Sequence, residues 1–147
     1  MINLALNFND GPIIIKNVAK KENISPRYLE QIVIPLKNSG LVRSIRGAKG
    51  GYVLTRDPSQ VTVAEVMRIL EGSWALVECT ENPDFCSWRD SCPAFVIWDR
   101  AYQALTEVFE NFTLKDCVDI ARKRGKEKDN EEKIKEKWFR DFYKEDS

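Results

Sequence analysis

The sequence predicts a mainly α-helical chain that carries one small β-hairpin, and three observations predict it. Apolar residues recur at spacings of three and four in several separate stretches. The period drops to two on either side of a basic, glycine-rich segment at residues 46–51. From Pro93 to about Phe112 the chain is apolar on more than one side of a helix. A length of 147 residues, 43% apolar and 31% charged, suits one sizeable core in water. The longest apolar runs, such as Ile13 to Ile15 and Val33 to Leu36, are far too short to span a bilayer, and no leader pattern is visible, so no membrane is expected and the cytoplasm is the expected compartment. The chain has no histidine, which excludes Ser-His-Asp and Cys-His catalysis and any His-ligated metal within it.

The elements follow in order. Met1, Leu4, Ala5 and Phe8 give the apolar face of a first helix with no capping residue before it, as if the helix began in mid-stride. Asp10-Gly11-Pro12 breaks that pattern. Ile15 to Glu22 makes a short second helix with Val18 and Ala19 inward, and Asn23-Ile24 turns the corner. Ser25-Pro26 is a cap and first-position pair, because serine can accept an orphan N–H while proline lacks one and has φ already fixed. The third helix then carries Tyr28, Leu29, Ile32, Val33 and Leu36 inward and stops at Gly40, with Pro35 expected to kink its second half. Leu41 to Ile45 and Tyr52 to Thr55 read as two strands around a basic tip. Thr62 with Glu65 forms a capping box, Val61 and Val66 can staple it, and Gly72 closes the helix that starts at Val63.

Residues 73–92 hold three cysteines and many acids without a sustained period, which predicts an ordered loop held by something outside it. In the next helix Ala94, Ile97, Trp98, Ala101, Leu105, Val108 and Phe112 form a stripe that Phe95, Tyr102 and Phe109 widen. A second apolar face on so long a helix predicts burial against another copy of the chain, a two-fold homodimer, the alternative being packing within one subunit. Thr113 with Asp116 caps one more short helix, and Gly125 is expected to begin a charged tail. In that tail Ile134, Trp138 and Phe142 fall on one helical face, supported by Glu131–Lys135 and Glu136–Arg140 pairs. The domains expected are therefore 1–72, the cysteine loop 73–92, the dimerisation helix with its short successor 93–124, and the tail 125–147.

Basic and acidic side chains balance at 23 each, but residues 1–60 carry a net charge of +5 and residues 61–124 one of −4. Phosphate neutralisation needs only a local excess of cations, so the N-terminal part is the side expected to face nucleic acid, the alternative being mere unevenness along a short chain. Two helices joined by a tight turn and followed by a basic hairpin have the order of a winged helix-turn-helix, a DNA-binding domain. Its second helix would present Ser25, Arg27, Tyr28, Glu30 and Gln31 to the major groove, since Arg suits guanine, Gln adenine, and Glu can accept from cytosine. Arg46 and Lys49, among glycines that let the backbone approach closely, suit a narrow minor groove and its phosphates. The alternative is a solvated turn on a protein-binding module.

Ser25-Pro26-Arg27-Tyr28-Leu29-Glu30-Gln31, Gly40-Leu41-Val42 and Arg46-Gly47-Ala48-Lys49-Gly50-Gly51-Tyr52 together resemble the signature of the Rrf-type bacterial transcription regulators, the family with IscR-, NsrR- and CymR-like members. The resemblance covers roughly residues 1–122. It implies a dimeric winged helix with a long C-terminal dimerisation helix, operator contact at Ser25, Tyr28 and Glu30, a wing arginine at Arg46, and further residues ahead of the position of Met1.

Cys79, Cys86 and Cys92 lie within fourteen residues on one interhelical loop. Grouped cysteines in a reducing compartment point to a metal or a redox sensor before a structural disulfide. Soft sulfur ligands favour an iron-sulfur cluster or zinc over magnesium and calcium; the alternatives are a thiol switch or inert cysteines. The family resemblance implies a cluster at these three residues, 2Fe-2S as in IscR-like members before 4Fe-4S. It leaves the fourth ligand open, because some relatives place a histidine where this chain has Phe95 and others take an acidic residue from the partner subunit. Glu78, Glu81, Asp84 and Asp90 are the local oxygen candidates, and Cys117, inward with Leu114, Val118 and Ala121, reads as a small buried hydrophobe. The expected function is a dimeric, operator-binding transcriptional regulator, not an enzyme, that senses iron-sulfur, redox or nitric oxide status through this loop. The rival expectations are a cluster-free CymR-like regulator of cysteine and sulfur metabolism, acting through thiols or a partner protein, and a protein-interaction scaffold.

Overall fold

The structure, a computed structural model, describes residues 1–47 and 49–126; the tail face of Ile134, Trp138 and Phe142 lies outside the described residues. Helices α1 (Ile2–Leu6), α2 (Ile15–Lys21) and α3 (Pro26–Asn38) are followed by strands β1 (Val42–Ile45) and β2 (Gly51–Leu54). Helix α4 (Val63–Glu71) leads through three short 3-10 turns, Glu78–Thr80, Pro83–Phe85 and Arg89–Ser91, into α5 (Pro93–Asn111). A last helix, α6, covers residues 114–126.

One core joins the first half of the chain to α6. Leu4 and Ala5 of α1, Ile15 of α2, Val33 and Leu36 of α3, Leu41, Val42 and Leu54 of the hairpin, and Val61 and Val66 around α4 are buried together with Leu114 and Val118. Helix α6 is seated there by a short antiparallel bridge, in which Val63 N–H donates to Phe112 O and Leu114 N–H donates to Val61 O, each at 2.8 Å. The strands pair antiparallel with Val42 opposite Leu54 and Ile45 opposite Gly51. Ile13 adds a third rung by exchanging two backbone hydrogen bonds with Tyr52. Residue 51 must be glycine for this, because a Cβ there would collide with the Ile13 carbonyl.

Local chemistry explains most boundaries and corrects several. Asn23 takes a left-handed conformation, φ 54°, which asparagine tolerates, and so turns the chain sharply between α2 and α3. Ser25 holds the N-cap position but its hydroxyl makes no capping bond; Pro26 at the first position and the Leu29 N–H to Ser25 O bond start the helix instead. Tyr28, expected inward, is 57% exposed, because α3 buries the stripe of Val33 and Leu36 with Leu29 and Ile32 beside it. Helix α3 continues past Pro35 to Asn38. At α4 the Thr62 hydroxyl accepts from Glu65 N–H at 3.1 Å, but the return half of the capping box is missing, since the Glu65 carboxylate is taken by Arg56. Thr113 and Asp116 do form a full box at α6, and the helix then continues beyond Gly125 to residue 126.

Candidate nucleic-acid interface and cysteine loop

The core fixes α3 from one side and leaves the other side to solvent. Ser25, Arg27, Tyr28, Glu30 and Gln31 are all exposed, at the end of the helix nearest the α2–α3 turn. Arg46 and Lys49, at the tip beyond the Ile45–Gly51 pair, are exposed as well. Two cations that the motif reading left out, Lys16 and Lys20, stand four residues apart on the exposed side of α2. Their i, i+4 spacing next to the inward Ala19 was the signal. Ile34 is likewise exposed on α3, an apolar group suited to contact a thymine methyl.

Helix α4 lies behind α3. Its last residues, Leu70 and Glu71, share a cleft with Tyr28, Gln31, Ile32 and Pro35 of α3. Gly72, at φ 79°, ends the helix, and the cysteine loop starts at once.

That loop is stitched to α5 by polar and aromatic contacts. Trp74 Nε1–H donates to Thr106 Oγ1 at 2.9 Å, its ring meets Phe109 edge-on at 5.4 Å, and the Arg68 guanidinium lies 4.9 Å above it. The Tyr102 hydroxyl donates to Glu81 Oε1 at 2.7 Å. Hydrogen bonds from Ser73 and Tyr102 hold the Glu81 carboxyl below the usual carboxylate range, and the same contact with Glu81 pushes the Tyr102 phenol up. Arg89 Nε–H donates to the Cys79 carbonyl at 3.1 Å, and its guanidinium lies 4.3 Å from the centre of the Phe95 ring. The outside support expected for the loop is thus α5; Trp74 and Arg89, which supply it, carried no motif.

Cys79 sits in the first 3-10 turn, Cys86 follows the second, and Cys92 occupies the N-cap position of α5. All three are half-buried free thiols. Among the described residues no three Cys, Asp or Glu side chains are gathered closely enough to hold a metal ion. Of the acids, Glu81 is engaged by Tyr102, Asp90 lies 3.6 Å from Arg89, and Glu78 and Asp84 face solvent. The residue types suit a soft metal or cluster; their placement here does not form its site. Cys117 lies on α6 between the buried Leu114 and Val118, and burial pushes its thiol up.

Helix α5 turns Phe95, Tyr102 and Phe109 toward the loop and α4 and buries no residue fully. The stripe expected to be its main apolar face is open: Ile97 is 67% exposed, Val108 52%, and Trp98, Leu105 and Phe112 are exposed too. No helix among the described residues is long and apolar enough to cross a membrane.

The model of the family described as Rrf2, iron-dependent transcriptional regulator, matches residues 1–120. The chain is 41% identical over 118 residues to the HTH-type transcriptional regulator CymR of Bacillus subtilis, covering 80% of each chain. It is 34% identical over 118 residues to IscR of Cronobacter sakazakii, covering 80% of this chain and 72% of that protein. The solved structure of B. subtilis CymR, described as the global cysteine regulator, superposes with a TM-score of 0.68 at 39% identity over 81% of this chain and 87% of that one. That of T. potens IscR superposes with a TM-score of 0.64 at 33% identity over 82% and 78%.

Proposed function

Because the chain belongs to the Rrf2 family of DNA-binding transcriptional regulators, we propose that it grips a double-stranded operator as a homodimer and that its cysteine loop sets how the two grips fit their half-sites. Like its relatives it is a regulator and not an enzyme. In each protomer α3 enters a major groove, with Arg27, Glu30 and Gln31 offering base-edge donors and acceptors and Ser25 and Tyr28 gripping beside them. Arg46 and Lys49 of the wing, with Lys16 and Lys20 of α2, neutralise phosphates. The open stripe of α5 supports the pairing of protomers, because a contiguous apolar helix face of this kind is normally covered. A regulator of this kind works in the cytoplasm.

The observation that carries the coupling is the α3–α4 cleft. Leu70 and Glu71 line it together with Tyr28 and Gln31, and the loop begins two residues further on, so a change of loop conformation reaches the reading residues through a single turn of helix. Half-site spacing is a geometric requirement, which turns a small displacement into a change of affinity.

Three thiols on one segment support an iron-sulfur cluster as the ligand to which the loop responds, 2Fe-2S by resemblance to IscR-like members; when bound, a cluster supplies a net charge and an oxidation state. The chain's own contribution is to tie the loop to α5 through Trp74, Glu81 and Arg89 and to α4 through Gly72. The dispersed thiols, together with the match to a protein described as a global cysteine regulator, favour a second reading in which the loop works without a cluster, through thiols or a partner protein. Protein isolated without oxygen decides between them. Iron and sulfide near stoichiometric with the chain, and an operator affinity that shifts about 5–150-fold on their removal, are expected for the first. Colourless protein whose affinity still responds to Cys79→Ser/Cys86→Ser/Cys92→Ser supports the second, and indifference to that triple change removes the loop from regulation.

A further inference from the structure

We infer that Arg89 is a positioning residue that latches the cysteine loop with its thiols apart, so that a soft metal ion is gathered only once the Arg89 side-chain contacts give way. This rests on the reading of the loop as a thiol-based sensor. Arg89 is hydrogen-bonded to all three cysteines. Its Nε–H donates to Cys79 O at 3.1 Å, its backbone N–H donates to Cys86 O at 3.1 Å, and its carbonyl accepts from Cys92 N–H at 3.2 Å. The guanidinium also lies over Phe95 in the first turn of α5, with the Asp90 carboxylate 3.6 Å from Nη1. One residue therefore spans the loop from its first 3-10 turn to the start of the helix. In this arrangement the thiols do not assemble a metal-holding group.

Two kinds of contact hold the loop, and they predict different things. The Trp74–Thr106 and Tyr102–Glu81 bonds fasten it to α5 without touching a cysteine. The Arg89 side chain instead fixes the carbonyl of Cys79 relative to the turn that bears Cys92. Bringing three thiols to one point requires those turns to move against each other, which breaks the Nε–H bond and the ring contact. Whatever stabilises the thiols-apart state lowers the apparent affinity for an ion that needs them together.

The test uses the reduced full chain and cobalt(II) alone, read by its thiolate charge-transfer absorption as the thiol protons leave to solvent. Arg89→Ala is expected to bind cobalt about 5–50-fold tighter than wild type, the worth of one hydrogen bond and one cation–π contact. Tyr102→Phe should stay within about twofold, and the triple cysteine-to-serine variant should lose the band. Equal or weaker binding by Arg89→Ala overturns the latch and leaves the thiol reading standing, and so does an equal gain by Tyr102→Phe, which would mean general loosening. Absence of the band in both wild type and Arg89→Ala overturns the latch, while the thiol reading is decided separately by the operator affinity of the triple cysteine-to-serine variant. Should Arg89→Ala fail to fold, Arg89→Lys decides, since it keeps the cation but loses the planar Nε donor; unchanged affinity there overturns the latch.

Discussion

The head that carries α3 and the wing is held by burial, whereas the stretch from residue 73 to 112 is held by stitches. Val61, Leu36, Leu41 and Val42 are almost completely removed from water, and α6 closes the same core with Leu114 and Val118. Between α4 and α6, by contrast, no residue is fully buried; the loop and α5 meet through one indole hydrogen bond, one phenol–carboxylate bond, the Arg89–Phe95 guanidinium–ring contact and the packing of Trp74 on Tyr102 and Phe109. Packing is collective and does not yield to a single ligand, while directional contacts worth about 0.5–1.5 kcal/mol each can be exchanged one at a time. The rigid half suits a surface that must match DNA, and the stitched half suits the switching role proposed for it.

The largest break in that contrast comes from the head's core. Leu36→Ala is expected to cost about 2–5 kcal/mol in denaturant unfolding, because it opens a cavity where only 2% of the side chain reaches water. Arg46→Ala should leave unfolding unchanged but weaken operator binding by about 1–3 kcal/mol, with the salt dependence of log K falling by about one unit, measured by anisotropy at several salt concentrations. Thr62→Ala removes the one side-chain cap of α4 and should cost about 1 kcal/mol. On α5, Val108→Ala should change protomer stability by less than about 0.5 kcal/mol, whereas Val108→Glu should convert dimer to monomer in sedimentation without melting the head. A dimer unaffected by Val108→Glu would move the seam elsewhere. The smallest effect is acid sensitivity at α6. Bonds from the Thr113 hydroxyl and N–H hold the Asp116 carboxyl below its ordinary value. Its stabilisation is therefore complete above about pH 4 and declines as pH falls further, and Asp116→Asn should flatten that acid limb.

The head was largely legible because its signals are local. Pro26, Gly40, Thr62 and Gly72 mark helix ends by their own backbone chemistry, and the glycines of residues 47–51 mark the wing. Tyr28 was misplaced because it borders the inward stripe at helical spacing, and only the packing of Val33 and Leu36 decides which way α3 is turned. Glu65 fitted a capping box until a long-range partner, Arg56, claimed it. The loop was legible in its cysteines but not in its supports. Arg89 and Trp74 have no characteristic spacing, and their partners Phe95, Thr106 and Phe109 come from a helix whose pattern does not say which apolar face meets the loop and which another copy.

The short bridge between Val61 and Leu114 has a mechanical consequence. It pins the far end of α5, whose Glu110 also lies 3.6 Å from Arg68 of α4, beside the beginning of α4, so the two helices form tweezers riveted at one end and linked at the other by the cysteine loop. With 19 residues, α5 is an arm about 28 Å long, and a swing of roughly 10° about the rivet carries its tip by about 5 Å, close to one helical pitch. In the proposed dimer, leverage of that size turns a rearrangement among a few side chains at the open end into a stroke felt by the opposite protomer.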